Sequence, residues 1–230
     1  MNSPILITGA ARSGTSMTAG CFHLAGAFGG VMSGPNMYNK KGMFENSKIR
    51  NQIVKPYLRK NGLDPLCQYP LPNSDNPPSF PDLRERIIQV MKEQGYTKGP
   101  WFYKGAKMVL LWKVFHEAFP NAKWILVIRP DEDIIKSCLK TKFMQRFSNP
   151  MILKELGLKN EIQGWQWWIN RHKKAFVDMI GNGLDIKIIH TEYLINGEFY
   201  ELKDALEWVG LKWTNKITKF IEPRLRKSRT

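Results

Sequence analysis

Cysteine is scarce in this sequence: Cys21, Cys67 and Cys138 are the three in 230 residues. An odd, sparse set with no CxxC spacing argues against a disulfide framework and against a zinc site, and the simplest setting is a reducing, cytoplasmic one. Long apolar runs are missing as well. The longest, such as Trp124-Ile125-Leu126-Val127-Ile128, fall far short of the roughly 20 residues that a spanning helix needs, so a soluble protein with no membrane span is expected. The opening Met1-Asn2-Ser3-Pro4 has no basic region followed by an apolar segment of about 7–15 residues, so no signal peptide is expected. Acid is in short supply: 20 Asp and Glu stand against 35 Lys and Arg, a net charge of +15. That excess invites an anionic partner, whether nucleic acid, a membrane surface or a phosphorylated ligand. The charge is spread along the chain except at Arg224-Leu225-Arg226-Lys227-Ser228-Arg229, so it does not choose among those partners.

What is present suits a folded enzyme. Hydrophobic residues make up 43% and aromatics 12%, too rich for a disordered chain, and the length fits a single domain over 1–230 with a buried core. Apolar runs at 4–7, 101–104, 123–128 and 186–189 read as strands. Helical character fills 14–27, 46–60 (with Ile49, Ile53 and Leu58 inward), 83–94, 109–119, a stretch from Asp131, and about 160–180. Strands alternating with helices predict a three-layer α/β/α domain with a central parallel sheet. Residues 61–81, dense in Pro, Asn and Asp, read as a long surface loop of the kind that often forms a lid.

The most informative segment is Gly9-Ala10-Ala11-Arg12-Ser13-Gly14-Thr15-Ser16, between the first strand and the first helix. It has the P-loop frame GxxxxGK[ST], with glycines at the first and sixth positions and a hydroxyl at the eighth. Such a loop offers backbone N–H groups and the positive end of a helix to phosphate oxygens. It departs from the frame where Thr15 replaces the lysine that grips β- and γ-phosphates, and the basic residue is Arg12 instead. The clearest strand ends in Arg129, not in an acid that could hold magnesium. A metal-assisted kinase or NTPase is therefore disfavoured, and group transfer from a nucleotide is favoured over its hydrolysis.

Arg129 stands at the C-terminal end of a strand, where open α/β sheets place ligand groups, and Ser137 follows about two helical turns on. An arginine and a serine so placed can grip one phosphate. Together with the loop, these residues resemble the sulfotransferase family that uses 3′-phosphoadenosine 5′-phosphosulfate (PAPS). G-x-x-R-S-G-T-[ST] is similar to the family's 5′-phosphosulfate loop, and Val127 to Ser137 is similar to its 3′-phosphate motif. Asn39 to Asn46 resembles an N-x-K-G-x-[FW]-E-[DN] stretch of bacterial-type members. Tyr103-Lys104-Gly105-Ala106-Lys107 lies where the family often has K-D-P-R, so Lys107 stands in for an arginine. His190-Thr191-Glu192-Tyr193-Leu194 is a weaker echo of a Y-E-x-L segment.

The resemblance implies a P-loop nucleotide-hydrolase-like fold, PAPS as donor, 3′-phosphoadenosine 5′-phosphate (PAP) as product, and no metal. By it, Arg12, Ser13, Gly14, Thr15 and Ser16 bind the 5′-phosphosulfate, and Arg129 and Ser137 bind the 3′-phosphate. Arg12 also stabilises the leaving phosphate, Lys104 contacts the transferring sulfuryl group, and Glu45 is the general base for the acceptor. Glu45 could equally be a carboxylate at a helix start, and Lys104 a solvated lysine. His23 and His116 are rival bases that fit packing or surface positions better. Trp165, Trp167 and Trp168 suit core packing, with one ring open to the adenine or acceptor pocket, and the basic C-terminal residues could close over the 3′-phosphate or form a solvated tail. A small-molecule or glycan acceptor is expected, but carbohydrate, lipid, small alcohol and protein side chain all stay open, with the 61–81 loop shaping that choice, and the oligomeric state is open. The rival readings are an atypical P-loop small-molecule kinase, which needs ATP and magnesium, a degenerate sulfotransferase that binds the nucleotide without turnover, and a non-catalytic nucleic-acid binder. The last predicts clustered basic residues among exposed aromatics, so no nucleic acid is expected.

Overall fold

The computed structural model describes residues 2–73 and 75–221. Four strands, β1 (Ile5–Thr8), β2 (Phe102–Lys104), β3 (Lys123–Ile128) and β4 (Ile186–His190), form one sheet in the order β2-β1-β3-β4. Every pairing is parallel, with Leu6 opposite both Tyr103 and Trp124, and Leu126 opposite Ile188. Parallel neighbours need a crossover between them, which is why helices cover both faces and the strands read as continuous apolar runs.

Side-chain alternation divides the core in two. Leu6, Tyr103, Trp124 and Leu126 project to one face, against Leu83 and Ile87 of α3 (Leu83–Glu93), Phe115 of α4 (Trp112–Ala118) and Met179 of α7 (Glu161–Gly181). Ile5, Ile7, Ile125 and Val127 project to the other, against Phe22 of α1 (Thr15–Leu24), Leu202 of α9 (Tyr200–Trp208) and Ile217 of α10 (Asn215–Phe220). This is the three-layer arrangement expected from the pattern of strands and helices. A third cluster packs α5 (Asp131–Leu139) and α6 (Pro150–Glu155) against Trp165, Trp168 and Ile169 of α7. Trp165 and Trp168 are buried there, as anticipated.

Three expectations need correction. The helix expected over 46–60 is two pieces, a widened π-type turn at Ile49–Val54 followed by α2 (Lys55–Lys60). Pro56 has no N–H to close a bond to the preceding turn, so regular α spacing is lost around it. Ile49, Ile53 and Leu58 are nonetheless buried. The 109–119 helix is a 3₁₀ turn at Ala106–Leu111 leading into α4. Its last residue before Pro120, Phe119, has left the helical region at φ −138°, ψ 71°, as the proline ring requires. The 61–81 loop is irregular, but its middle is not at the surface. Cys67 and Gln68 are buried, and Cys67 O accepts a 2.7 Å hydrogen bond from Trp168 Nε1. Asp64 organises the bend by accepting backbone N–H bonds from Leu66, Gln68 and Tyr69. Besides these, α6, α8 (Thr191–Asn196), α9 and α10 have no counterpart in the sequence reading. Among the described residues, no helix is long and apolar enough to cross a membrane.

Candidate functional site

Because the strands are parallel, their C-terminal ends share one edge of the sheet, where Thr8, Lys104, Ile128 and His190 finish. The first loop turns sharply there. Gly9 has no room for a side chain: a Cβ would sit 2.4 Å from the carbonyl oxygen of Val127. At Gly14, φ is +102° and a Cβ would sit 2.5 Å from Thr191 Cγ2, so only glycine lets α1 begin against the end of β4. Arg12 also has a positive φ, 73°, a conformation that costs about 1–3 kcal/mol and survives where neighbours enforce it. The neighbours are visible. Arg129 Nη1 donates to the carbonyl oxygen of Arg12 at 3.0 Å, and Arg12 Nε donates to Ser137 Oγ at 3.0 Å. Asp133 steadies Arg129 from α5, with Oδ2 3.4 Å from its Nε.

The loop, β3 and α5 therefore form one assembly around Arg12, across 117 and 125 residues of sequence. Ser137 is buried and is not on the cavity wall; it contacts the site through Arg12. The first turn of α1 has no acidic residue and no side-chain cap, so its leading N–H groups are available to an anion. Ser13 Oγ is buried with no hydrogen-bond partner among the described residues. An orphaned hydroxyl inside a glycine-shaped cradle is what a phosphate-type oxygen would satisfy.

The loop opens onto a cavity of about 460 Å³. Glu45 and Lys104 meet on its wall, with Glu45 Oε2 3.6 Å from Lys104 Nζ and 3.8 Å from Arg50 Nη1. Both members of the central pair are buried, Glu45 at 4% exposure and Lys104 at 3%. Burial by itself pushes the Glu45 carboxyl up, but Lys104, Lys107 and Arg50 together hold it below its usual range, so it is ionised at neutral pH. Lys104 is lowered by burial, which outweighs the support it receives from Glu45. The segment carrying Glu45 is fixed by Asn46, whose Nδ2 donates to the carbonyl oxygen of Gly29 at 3.1 Å. Glu45 thus stands just before the helical segment that begins at Ser47, and its carboxylate faces the cations Lys104 and Arg50 on the cavity wall.

His23 is exposed, and His116 is not on the cavity wall. The histidine that does line the cavity is His172 of α7, which the sequence reading missed; Trp168 lines it too, the one ring of the tryptophan cluster that does. Its Nδ1 is 2.8 Å from the carbonyl oxygen of Trp168 and so carries the proton. Burial lowers its pKa to about 4 and keeps the ring neutral. Arg50 and Lys55 were missed too. Their signal was compositional: residues 1–44, 46–63 and 94–116 contain no Asp or Glu, and these stretches supply most of the cavity wall. Arg224, Arg226, Lys227 and Arg229 lie outside the described residues.

No protein-family model matches the chain, and no curated protein matches its sequence. Among solved structures it is similar to the sulfotransferase STF9 from Mycobacterium avium, at TM-score 0.56 and 13% identity, over 96% of this chain and 67% of that one. It is similar also to the sulfotransferase from Alicyclobacillus acidocaldarius, at TM-score 0.56 and 12% identity, over 99% of this chain and 90% of that one. At such identities the likeness is one of backbone architecture, and it agrees with the resemblance read from the motifs: the chain has the P-loop-like α/β fold of bacterial sulfotransferases.

Proposed function

We propose that this protein is a sulfotransferase that takes a sulfuryl group from PAPS and passes it to a hydroxyl or amine of a small-molecule or glycan acceptor. The observation that carries this reading is the Arg12–Ser137–Arg129 assembly around the first loop, at the rim of a cation-lined cavity. The residues suit the donor. Gly9 and Gly14 leave space where side chains would stand, Ser13 Oγ lacks a partner among the described residues, and α1 presents uncapped N–H groups. In this reading Arg12, the loop amides and the hydroxyls of Ser13, Thr15 and Ser16 hold the 5′-phosphosulfate. Arg129 holds the 3′-phosphate, with Ser137 orienting Arg12 beside it. The donor, once bound, supplies an activated sulfuryl group; the protein supplies position and charge.

Glu45 accepts the proton of the acceptor hydroxyl, for which its depressed pKa has a definite consequence: it enters the reaction ionised. Lys104 offers its ammonium to the oxygens on which charge builds, and Arg12 steadies the phosphate that departs with the bonding electron pair. No metal is included, because the loop carries Thr15 in place of the NTPase lysine and β3 delivers Arg129 in place of an acid.

Calorimetric titration with PAP, beside ATP with and without magnesium, tests the reading. Micromolar or tighter binding of PAP without metal is expected. Failure of PAP to bind, together with magnesium-dependent binding of ATP, would replace the reading by a kinase.

A further inference from the structure

The cavity carries more positive charge than a PAPS-type donor can use. Eight cationic side chains line it: Arg12 and Arg129 at the loop, and Lys40, Lys41, Arg50, Lys55, Lys104 and Lys107 beyond it. Among the described residues on its wall, Glu45 is the one carboxylate. A nucleotide with a phosphomonoester, a phosphodiester-like link and a sulfate brings about four negative charges, since a monoester alone carries up to about two. With Glu45 on the wall and Asp133 pairing Arg129 from behind it, roughly two positive charges exceed what that donor balances, and burying them unmatched is costly.

The surplus has a place. Arg50 reaches Glu45 from the widened turn, Lys55 follows one and a half turns later at the start of α2, and Lys107 comes from the 3₁₀ turn after β2. Lys55 and Lys107 make no hydrogen bond or ion pair among the described residues, although both are partly buried on the cavity wall. Burial, then the neighbouring Lys107 and Arg50, hold the Lys55 ammonium below its usual range. Cations that converge without partners repel one another, and a fold keeps them together at a cost unless a ligand supplies the opposite charge. All three Lys and Arg residues that precede Glu45 in the chain line the same cavity, so the concentration is not a general property of the surface.

We infer that the acceptor is itself an anion: a hydroxyl or amine compound bearing a phosphate, sulfate or carboxylate group, which Lys55, Lys107 and Arg50 hold while Glu45 faces the group to be sulfated. This rests on the sulfotransferase reading. The anionic group fixes the acceptor by charge-assisted hydrogen bonds, and its distance from the reacting hydroxyl selects among acidic compounds. Neutral alcohols lack the handle and enter weakly.

The test uses inorganic phosphate as probe, titrated calorimetrically into the full chain saturated with PAP at about 0.15 M salt. PAP binding is read first, so failure of the donor reading is distinguishable: without it both proposals fall. With PAP bound, one phosphate is expected to bind the wild type, and at least tenfold more weakly the Lys55→Ala/Lys107→Ala variant. PAP affinity in that variant should stay within about threefold, which also reports that it folds. A phosphate held instead at the position the sulfuryl group vacates would bind the variant and the wild type alike. That result, or no phosphate binding to the PAP-saturated wild type, overturns the inference.

Discussion

The two ends of the cavity are built differently. Around the first loop the framework is held in place: Arg12 by Ser137 and Arg129, each at 3.0 Å, and α1 by the close fit of Gly14 against Thr191. At the far end, Glu45 meets Lys104 and Arg50 at 3.6 and 3.8 Å, and among the described residues its Oε1 has no hydrogen bond and Lys55 and Lys107 stand unpaired. The first end is shaped before any ligand arrives, which lowers the cost of holding a large anion. The second keeps its charges loosely matched, so that a ligand can take them over. On the proposed reading, the first end would recognise the donor rigidly and the second would capture the acceptor by charge.

The largest effect that would sharpen this contrast is on turnover. Glu45→Gln should slow sulfuryl transfer by about a hundredfold to ten-thousandfold, the usual loss for a general base, with PAP affinity little changed. Measured as PAP release with an accepted hydroxyl compound, an unchanged rate would move the base elsewhere, with His172 the next group on the wall. The donor end should break through its backbone. Gly14→Ala places a side chain at φ +102° and against Thr191, and should cost at least about 1–3 kcal/mol in thermal unfolding while abolishing PAP binding. An alanine variant that melts and binds like the wild type would show that the loop is not shaped as described.

Acid dependence gives a smaller effect. The Glu45 carboxyl lies below its ordinary value of 4.5, so its ionised contacts stabilise the fold above that pH. The contribution is lost as pH falls below 4.5 through the native value. Wild-type melting temperatures should therefore drop more steeply than those of Glu45→Gln between about pH 5 and pH 3. Parallel curves would mean that the three cations do not act on this carboxyl. Smallest of all, His23→Ala should change stability by less than about 0.5 kcal/mol and leave PAP affinity alone, since the ring is exposed.

The same contrast explains what could be read from sequence. The loop and the Arg129–Ser137 pair are short-range patterns: glycines at fixed spacing, a strand that ends in arginine, a serine two turns later. The parallel sheet was legible for a similar reason, since four brief apolar runs between helical stretches admit few arrangements. The acceptor end is assembled from distant pieces. Trp168 reaches the site through a bond to Cys67 across 101 residues, and neither residue's own neighbours announce it. Arg50 and Lys55 follow Glu45 with no motif, in a segment whose helical period is broken at Pro56. Only the acid-free stretches hinted that these cations share a purpose, and that hint needs the fold before it points to a place.

The central claim is that Arg129 and its loop recognise a 3′-phosphate. The most direct test is the ratio of affinities for PAP and for adenosine 5′-phosphate, measured in the wild type and in Arg129→Ala. One charge-assisted phosphate contact is worth about 1.5–3 kcal/mol, so the wild type should prefer PAP by about tenfold to a hundredfold, and the variant should lose most of that preference. Equal affinities in the wild type, or a preference that survives in Arg129→Ala, would contradict the account.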